Sequence, residues 1–512
     1  MYILYLVLLF VICISILIDY LSITIKKNAF QIVKEMGIGW SLSNSFDCYN
    51  PYVKIMTNPD DQIKLYGNEL PTKKLITSIK KYGFKTIRIP ITWLHFMDES
   101  GKINPAWMNR VKEVVNWVVE SKLYCIINLY RDGHQGNWLL QGISSKDKFI
   151  YLWTQIANEF KNYNEYLIFQ SMDQVVYKIG NNYDYLTLLN LNQAFVDTVR
   201  NTGGKNSDRL LIVVGMNQDP ELTCVSLYKM PIDPSRKLAI SLNYFIPGNF
   251  ATESTDNPWT WVDANGDSHI IPSVNYWGAE YEYKELFVNF QNFKEMFVDN
   301  GYPVIISETG VLTEDKKDIN SMREFLFSVF SIAKSFDGMM AILLDTSDKK
   351  YGQFNYYDRV NDKWYDEVIR DNFKKISQGN FLKFTDFSYN SNKDTVTNFN
   401  NNEELVLQIG KKKIKKVIFN VKLNIDYNYV NFGIITNDKR SMYFSLMVNG
   451  PEGKKNFDGS YTYTIDVSKK DCNDYIRIQK WWNSEYSTLK YLTVQFNKEY
   501  SFFDYATYKN NL

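Results

Sequence analysis

The chain carries almost no excess of charge: 58 Lys and Arg stand against 57 Asp and Glu, a net of +1 over 512 residues. That balance attracts no polyanion, so nucleic acid and anionic surfaces are not electrostatic partners, and a neutral ligand is easier to accommodate. Cysteine is scarce. Cys13, Cys48, Cys125, Cys224 and Cys472 are far apart and show no metal-ligand spacing, which implies neither a disulfide framework nor a thiolate metal centre. Cys125, inside the apolar run LYCIINLY, reads as a small core residue. Abundant Asn includes no Asn-x-Ser/Thr acceptor, which fits a glycan-free surface. No G-x-G-x-x-G or G-x-x-x-x-G-K-[ST] follows an early strand, which argues against a nucleotide-binding open sheet. No metal and no cofactor is expected.

What is present is a large apolar and aromatic inventory. With 45% hydrophobic and 16% aromatic residues, the chain can bury a substantial core and should divide into about two or three domains. Met1 to Ile18 has no charged side chain; Asp19, a second apolar stretch and then Lys26 and Lys27 follow. A run of roughly 20 residues suits a secretory signal or a membrane-spanning anchor, although it lacks a basic start and a clear small-residue cleavage site. Secretory entry is expected, placing the protein outside the cell or at its surface, with residues 1–25 as a possible membrane anchor. The two lysines would alternatively hold the following chain on the cytoplasmic side.

Beyond this leader (1–27), strand-length apolar runs alternate with helical patterns. The runs fall at 36–45, 84–91, 124–130, 166–172, 210–215, 238–245, 302–310 and 339–345. Between two of them, residues 104–122 place Pro105 near a helix start and Trp107, Val111, Val114, Val115 and Val118 at helical spacing, an apolar stripe that must face a sheet. Eight strand-then-helix units fit a closed parallel (β/α)8 TIM barrel over about 28–379, with function at the C-terminal strand ends. From about 380 the rhythm changes to roughly seven short alternating strands, as a small all-β sandwich domain over 380–512 would have.

One strand tip stands out. YPVIISETGV buries an apolar strand and presents Glu308 at its end, followed by Gly310, which makes Glu308 a nucleophile candidate. The surrounding motifs resemble those of glycoside hydrolase family 5, the cellulase family, over about residues 36–375. GIGWSLSNSFD is similar to that family's opening G-x-G-W-N-L-G-N-x-x-D, GFKTIRIPITW to its second-strand motif, and INLYRDG to I-N-x-H-H-D-G. YLIFQSMDQ resembles L-I-F-E-x-M-N-E-P, ISLNYF resembles V-S-x-H-Y-Y, and PVIISETG resembles P-V-x-x-G-E-x-G.

The resemblance implies the eight-stranded barrel and retaining hydrolysis of β-linked glucans or mannans without a metal. Such a mechanism needs one carboxylate as nucleophile and a second carboxyl about 5 Å away as acid and then base. By resemblance Glu308 holds the nucleophile position and Gln174 the acid/base position. A glutamine has no acidic proton to give, so the cycle is expected to be broken. Asp173 replaces an Asn that bonds the sugar 2-hydroxyl, Tyr130 and Arg131 replace His-His, Asn243 replaces a His, and Leu343 and Leu344 stand where a subsite Trp is usual. Arg88, Tyr244, Asn44 and Asp47 are retained, Arg88 and Tyr244 being expected against the nucleophile. Alternation along a strand is expected to turn Asp173 away from the place of Gln174. Arg131 is a candidate neighbour of Glu308.

In the C-terminal segment IRIQKWWNSE resembles the Q-x-W-W strand of carbohydrate-binding sandwiches, with Trp481 and Trp482 facing opposite ways as candidate sugar contacts. The leading expectation is a family 5-like protein of β-glucan metabolism that has lost most or all hydrolysis and binds a β-linked polysaccharide, an oligosaccharide or a protein partner. An active retaining endo-β-1,4-glucanase with an unusual acid, and a non-catalytic surface scaffold, are the alternatives.

Overall fold

The computed structural model describes residues 27–130, 146–173, 182–254, 274–278, 280–313, 317–346 and 354–381, a hairpin of Thr260–Val262 with Ser268–Ile270, and strands between 383 and 504. All eight expected strands form: β1 (Gly39–Leu42), β2 (Thr86–Ile89), β3 (Tyr124–Ile127), β4 (Leu167–Gln170), β5 (Leu211–Val214), β6 (Leu238–Tyr244), β7 (Val304–Thr309) and β8 (Met339–Asp345). Each pairs in parallel with its neighbours, and β8 pairs with β1, so the sheet closes on itself. The expected barrel is correct.

Helices cover the outside because their stripes match the strands. Helix α2 (Pro105–Glu120) follows β2, with Pro105 in its first turn and the Asn104 side chain accepting from the Ala106 amide at 2.8 Å; both suit a helix start. Trp107, Val111, Val114, Val115 and Val118 are all fully buried, as the periodicity predicted.

Inside the barrel the strands divide into two levels. At the base, Ile126, Ile168, Ile212, Ala239, Ile305, Met340 and Ile342 pack with Ala29, Ile32, Val33 and Met36 of α1 (Ala29–Met36), a short amphipathic helix that plugs the N-terminal end. A reciprocal capping box between Asn28 and Gln31 fixes where α1 begins. The wall here is too tight for any side chain at position 39: a Cβ on Gly39 would lie 2.7 Å from Ile342 Cγ1. Towards the C-terminal mouth the inward positions become polar, with Arg88, Asn128, Gln170, Ser241 and Ser307.

One irregularity shapes that mouth. On β7 the pairing with β6 passes from Leu242 with Ile306 to Asn243 with Glu308, and that with β8 from Ala341 with Ile306 to Leu343 with Thr309. Strand β7 therefore carries an extra residue, a bulge, and bulges re-aim side chains. Ser307 and Glu308, adjacent in sequence, both reach the barrel interior.

The last described helix ends at Ser377, and beyond residue 381 the described residues are strands, paired in a six-stranded and a four-stranded sheet. Among them are strands at Glu404–Gly410, Lys416–Leu423, Tyr429–Ile435, Ser441–Met447, Tyr461–Asp466, Asp474–Lys480 and Ser487–Phe496. The leader, with its expected signal or anchor, and Trp481 and Trp482 lie outside the described residues.

Candidate active site

The site is organised by one buried cation. Arg88, projecting inward from β2, has no exposed surface and spreads its guanidinium over three partners. Its Nη1 donates to Glu308 Oε1 at 2.9 Å, its Nε donates to Gln170 Oε1 at 3.1 Å, and its Nη2 pairs with the Asp173 carboxylate. The planar fork of an arginine suits this distribution, because its donors point along fixed and divergent directions.

A hydrogen-bonded belt holds the partners. Asn128, just past β3, donates to Asp173 Oδ2 at 3.1 Å and accepts from the Ile91 amide at 3.0 Å. Asn243 Oδ1 accepts from Ser307 at 2.8 Å and from Gln218 at 3.3 Å, which turns its amide nitrogen toward Glu308 Oε2 at 3.5 Å. Ser241 joins Ser307 at 2.7 Å, Gln218 at 3.1 Å and Gln170 at 3.3 Å. Fixed partners on every side make the belt a pre-organised polar lining.

The formal charges at the centre are one positive, on Arg88, against two negative, on Asp173 and Glu308. Asp173 has no exposed surface and Glu308 has 3%. Alternation was expected to turn Asp173 away from the place of Gln174, which lies outside the described residues. Strand β4 ends at Gln170, so residues 171–173 no longer follow a pleat, and Asp173 lands on the same guanidinium as Glu308. Asp173 accepts from Asn128 and pairs with Arg88.

Tyr244 requires a second correction. Its hydroxyl accepts from Asn289 at 3.3 Å and its ring meets Phe290 edge-on at 5.3 Å, both on the outer helix α3 (Glu280–Phe293). It lies in the layer between sheet and helices, away from Glu308, and burial pushes its phenol well above the usual range. Strand alternation requires this: Asn243 faces in, so Tyr244 faces out.

Tyr130 is buried, its amide donating to Ile91 and its carbonyl accepting from Thr92. Asn44 adopts a positive φ of 53°, and its carbonyl accepts from Asn68. Asp47 accepts from the Ser45 amide at 2.8 Å. These two shape the loop after β1. Leu343 and Leu344 are both buried. At the end of β8, Asp345 accepts from the Trp40 indole at 2.8 Å while Arg359 lies 5.1 Å from the Trp40 ring centre. Gln174 and Arg131 fall outside the described residues. Cys125 is a fully buried core residue.

Sequence reasoning missed Gln170, Asn128, Ser241, Ser307 and Gln218. Three of them carried a signal: Gln170 in LIFQ, Ser241 in AISL and Ser307 in IISE are polar residues in otherwise apolar strand runs. Among the described residues no group of His, Cys, Asp and Glu is arranged to hold a metal. A cavity of about 280 Å³ between the starts of two outer helices, lined by Thr313, Lys317, Met322, Tyr356 and Tyr365, includes no member of the Arg88 cluster.

Carboxylates gathered at the C-terminal mouth of a closed parallel barrel, on a preorganised polar lining, define the class: a (β/α)8 barrel built to an enzyme's plan. The family follows from sequence. The model for Cellulase (glycosyl hydrolase family 5) matches residues 49–339, more than half of the chain, and the chain belongs to that family.

Among characterised relatives, Endoglucanase A of Clostridium longisporum is 30% identical over 360 residues, covering 67% of this chain and 65% of its own length. The chain thus spans just under two thirds of that relative. Among solved structures, a GH5-4 broad specificity endoglucanase from an uncultured bovine rumen ciliate is 52% identical with a TM-score of 0.67, covering 69% of this chain and 99% of that one. A Glu-to-Gln mutant of the family 5 lichenase from Caldicellulosiruptor sp. F32, in complex with cellotetraose, is 28% identical with a TM-score of 0.61, covering 69% and 96%.

Proposed function

We propose that this family 5 barrel binds β-linked glucan and has lost most or all of its capacity to hydrolyse it. The observation that carries the reading is the separation of the two catalytic requirements. Glu308 keeps the nucleophile position, on Arg88 and near Asn243, whereas the acid/base position holds Gln174. General acid–base catalysis is worth about 10²–10⁴ in rate. An amide supplies neither the proton for the departing oxygen nor the base for water.

Arg88 is then the residue that orients and charges Glu308, and Asn243 a further donor to it. Binding survives such a change in principle, since sugar contacts and proton transfer are separate demands, and the lichenase relative carrying a Glu-to-Gln substitution holds cellotetraose. We assign the segment after 380 to a carbohydrate-binding β-sandwich in which one of Trp481 and Trp482 is the sugar contact, and the apolar leader to delivery through the secretory pathway.

One observation favours a second reading, an active endoglucanase. Asp173 shares Arg88 with Glu308, so a second carboxyl stands in the mouth of the barrel. It would serve as acid only after leaving its two donors. Titration calorimetry with cello-oligosaccharides, beside reducing-sugar release from soluble β-glucan, separates the readings. Binding without release is expected. Release that vanishes in Glu308→Gln would establish the second reading, and absence of binding would overturn the first.

A further inference from the structure

We propose that the cavity between α4 (Ile319–Ser335) and α5 (Glu367–Ser377), outside the Arg88 cluster, is a binding site for a small uncharged aromatic molecule. The site lies apart from the barrel mouth and does not depend on what the mouth binds.

The cavity measures about 280 Å³. An apolar cavity of about 150 Å³ takes up benzene, so this one has room for a substituted ring. Its floor is buried and apolar, formed by Met322, Ile369 and the ring of Tyr356. Its walls are apolar and open to solvent, with Ile319 exposed by 39% and Tyr365 by 49%. An apolar floor reached between apolar walls is the form of a small-molecule site. Two tyrosine rings and a thioether favour an aromatic guest over an aliphatic one, because ring edges, ring faces and sulfur attract one another.

Charge argues against an ion. Two helix starts meet at the cavity, and helix starts attract anions. Here each is already capped by a carboxylate of the chain: Asp318 accepts from the Ser321 amide at 2.7 Å and Asp366 from the Ile369 amide at 2.8 Å. The charged lining is engaged as well. Lys317 Nζ donates to the carbonyls of Phe250 at 2.7 Å and Val274 at 2.9 Å, and Asp366 accepts from Arg323 Nη2 at 2.6 Å. The hydroxyl groups have partners within the wall, Thr313 accepting from the Asn355 amide at 3.1 Å and Tyr356 donating to the Val311 carbonyl at 2.7 Å. A sugar would bring several hydroxyls to a lining whose polar groups are engaged, and a hydroxyl buried without a partner is costly. A ring with one hydroxyl at the open side escapes that cost.

The test titrates the full chain with 4-ethylphenol by calorimetry at pH 7, where the phenol is neutral. One equivalent should bind with a Kd below about 1 mM. The charged analogue 4-ethylbenzoate should bind at least about tenfold more weakly, and glucose should not displace the phenol. Tyr365→Ala removes one ring and should weaken binding about two- to tenfold. Ile319→Trp places an indole in the opening and should weaken it about tenfold or more, while the urea midpoint stays near that of the parent because the position is part-exposed. The inference is overturned by the absence of saturable binding, by equal affinity for the phenol and the benzoate, by displacement with glucose, or by an affinity that Ile319→Trp leaves unchanged.

Discussion

Replacing Arg88 with Met should be among the most damaging single changes available in this barrel. The guanidinium has no exposed surface, and two carboxylates, exposed by 0% and 3%, depend on it. Removing one partner of a buried ion pair costs about 3–5 kcal/mol because the remaining charge is uncompensated. A typical native protein is stable by only about 5–15 kcal/mol. With a urea m-value of about 3 kcal/mol/M, as suits a domain of this size, a 4 kcal/mol loss moves the midpoint by about 1.3 M. Fluorescence of the fully buried Trp40, Trp93, Trp107 and Trp153 reports the transition at pH 7. The argument assigns the loss to stranded charge and not to the packing of the arginine stem. The triple change Arg88→Met, Asp173→Asn and Glu308→Gln should therefore recover most of it. A single variant within about 1 kcal/mol of the parent, or a triple variant no more stable than the single, would refute that reasoning.

Three further outcomes are expected. Asp233 is gripped by Arg200 through two 2.9 Å bonds; burial raises its pKa, but the Arg200 bonds and charge, with the Lys237 and Ser235 amides, outweigh this and the net shift is downward. A lowered folded pKa contributes stability above the unfolded value of about 3.9, lost as pH falls through the folded value. The destabilisation caused by Arg200→Met should accordingly be largest near neutrality and shrink below about pH 3.9, as read from thermal midpoints across pH. Gly39→Ala drives a methyl against Ile342 and should cost about 1–3 kcal/mol, partly relieved by Ile342→Ala in a double-mutant cycle. Val114→Ala on α2, at a fully buried position, should cost about 1–3 kcal/mol by chemical denaturation, because it opens space against the sheet.

The barrel was legible because each strand is an apolar run and each covering helix carries a stripe at the matching period. The helix from Pro105 could be placed within two residues from its cap and its valines. Side-chain direction was partly legible. Tyr244 was misplaced although its neighbour Asn243 already determined its facing, since two adjacent residues on a regular strand cannot both point inward. Ser307 and Glu308 break that same rule, and nothing in IISET announces the bulge that lets them. The position of Asp173 was hidden for a related reason: where β4 stops pairing depends on its neighbours, and composition does not mark the last paired residue. The glutamine at 174, in contrast, was evident from sequence alone, because residue type needs no structure to read.

The extra residue in β7 uncouples the rim of the barrel from its foundation. Below Ile306 the strand keeps step with its neighbours, and substitutions there act on packing; above it the chain has been advanced by one position, and substitutions act on what the opening can do. Losing a single residue from this stretch would rotate the surviving glutamate out among the surrounding helices and leave the eight-stranded cylinder standing. Chemistry at the opening is in this way cheaper to alter than architecture, and a barrel can change its reactivity while remaining the same barrel.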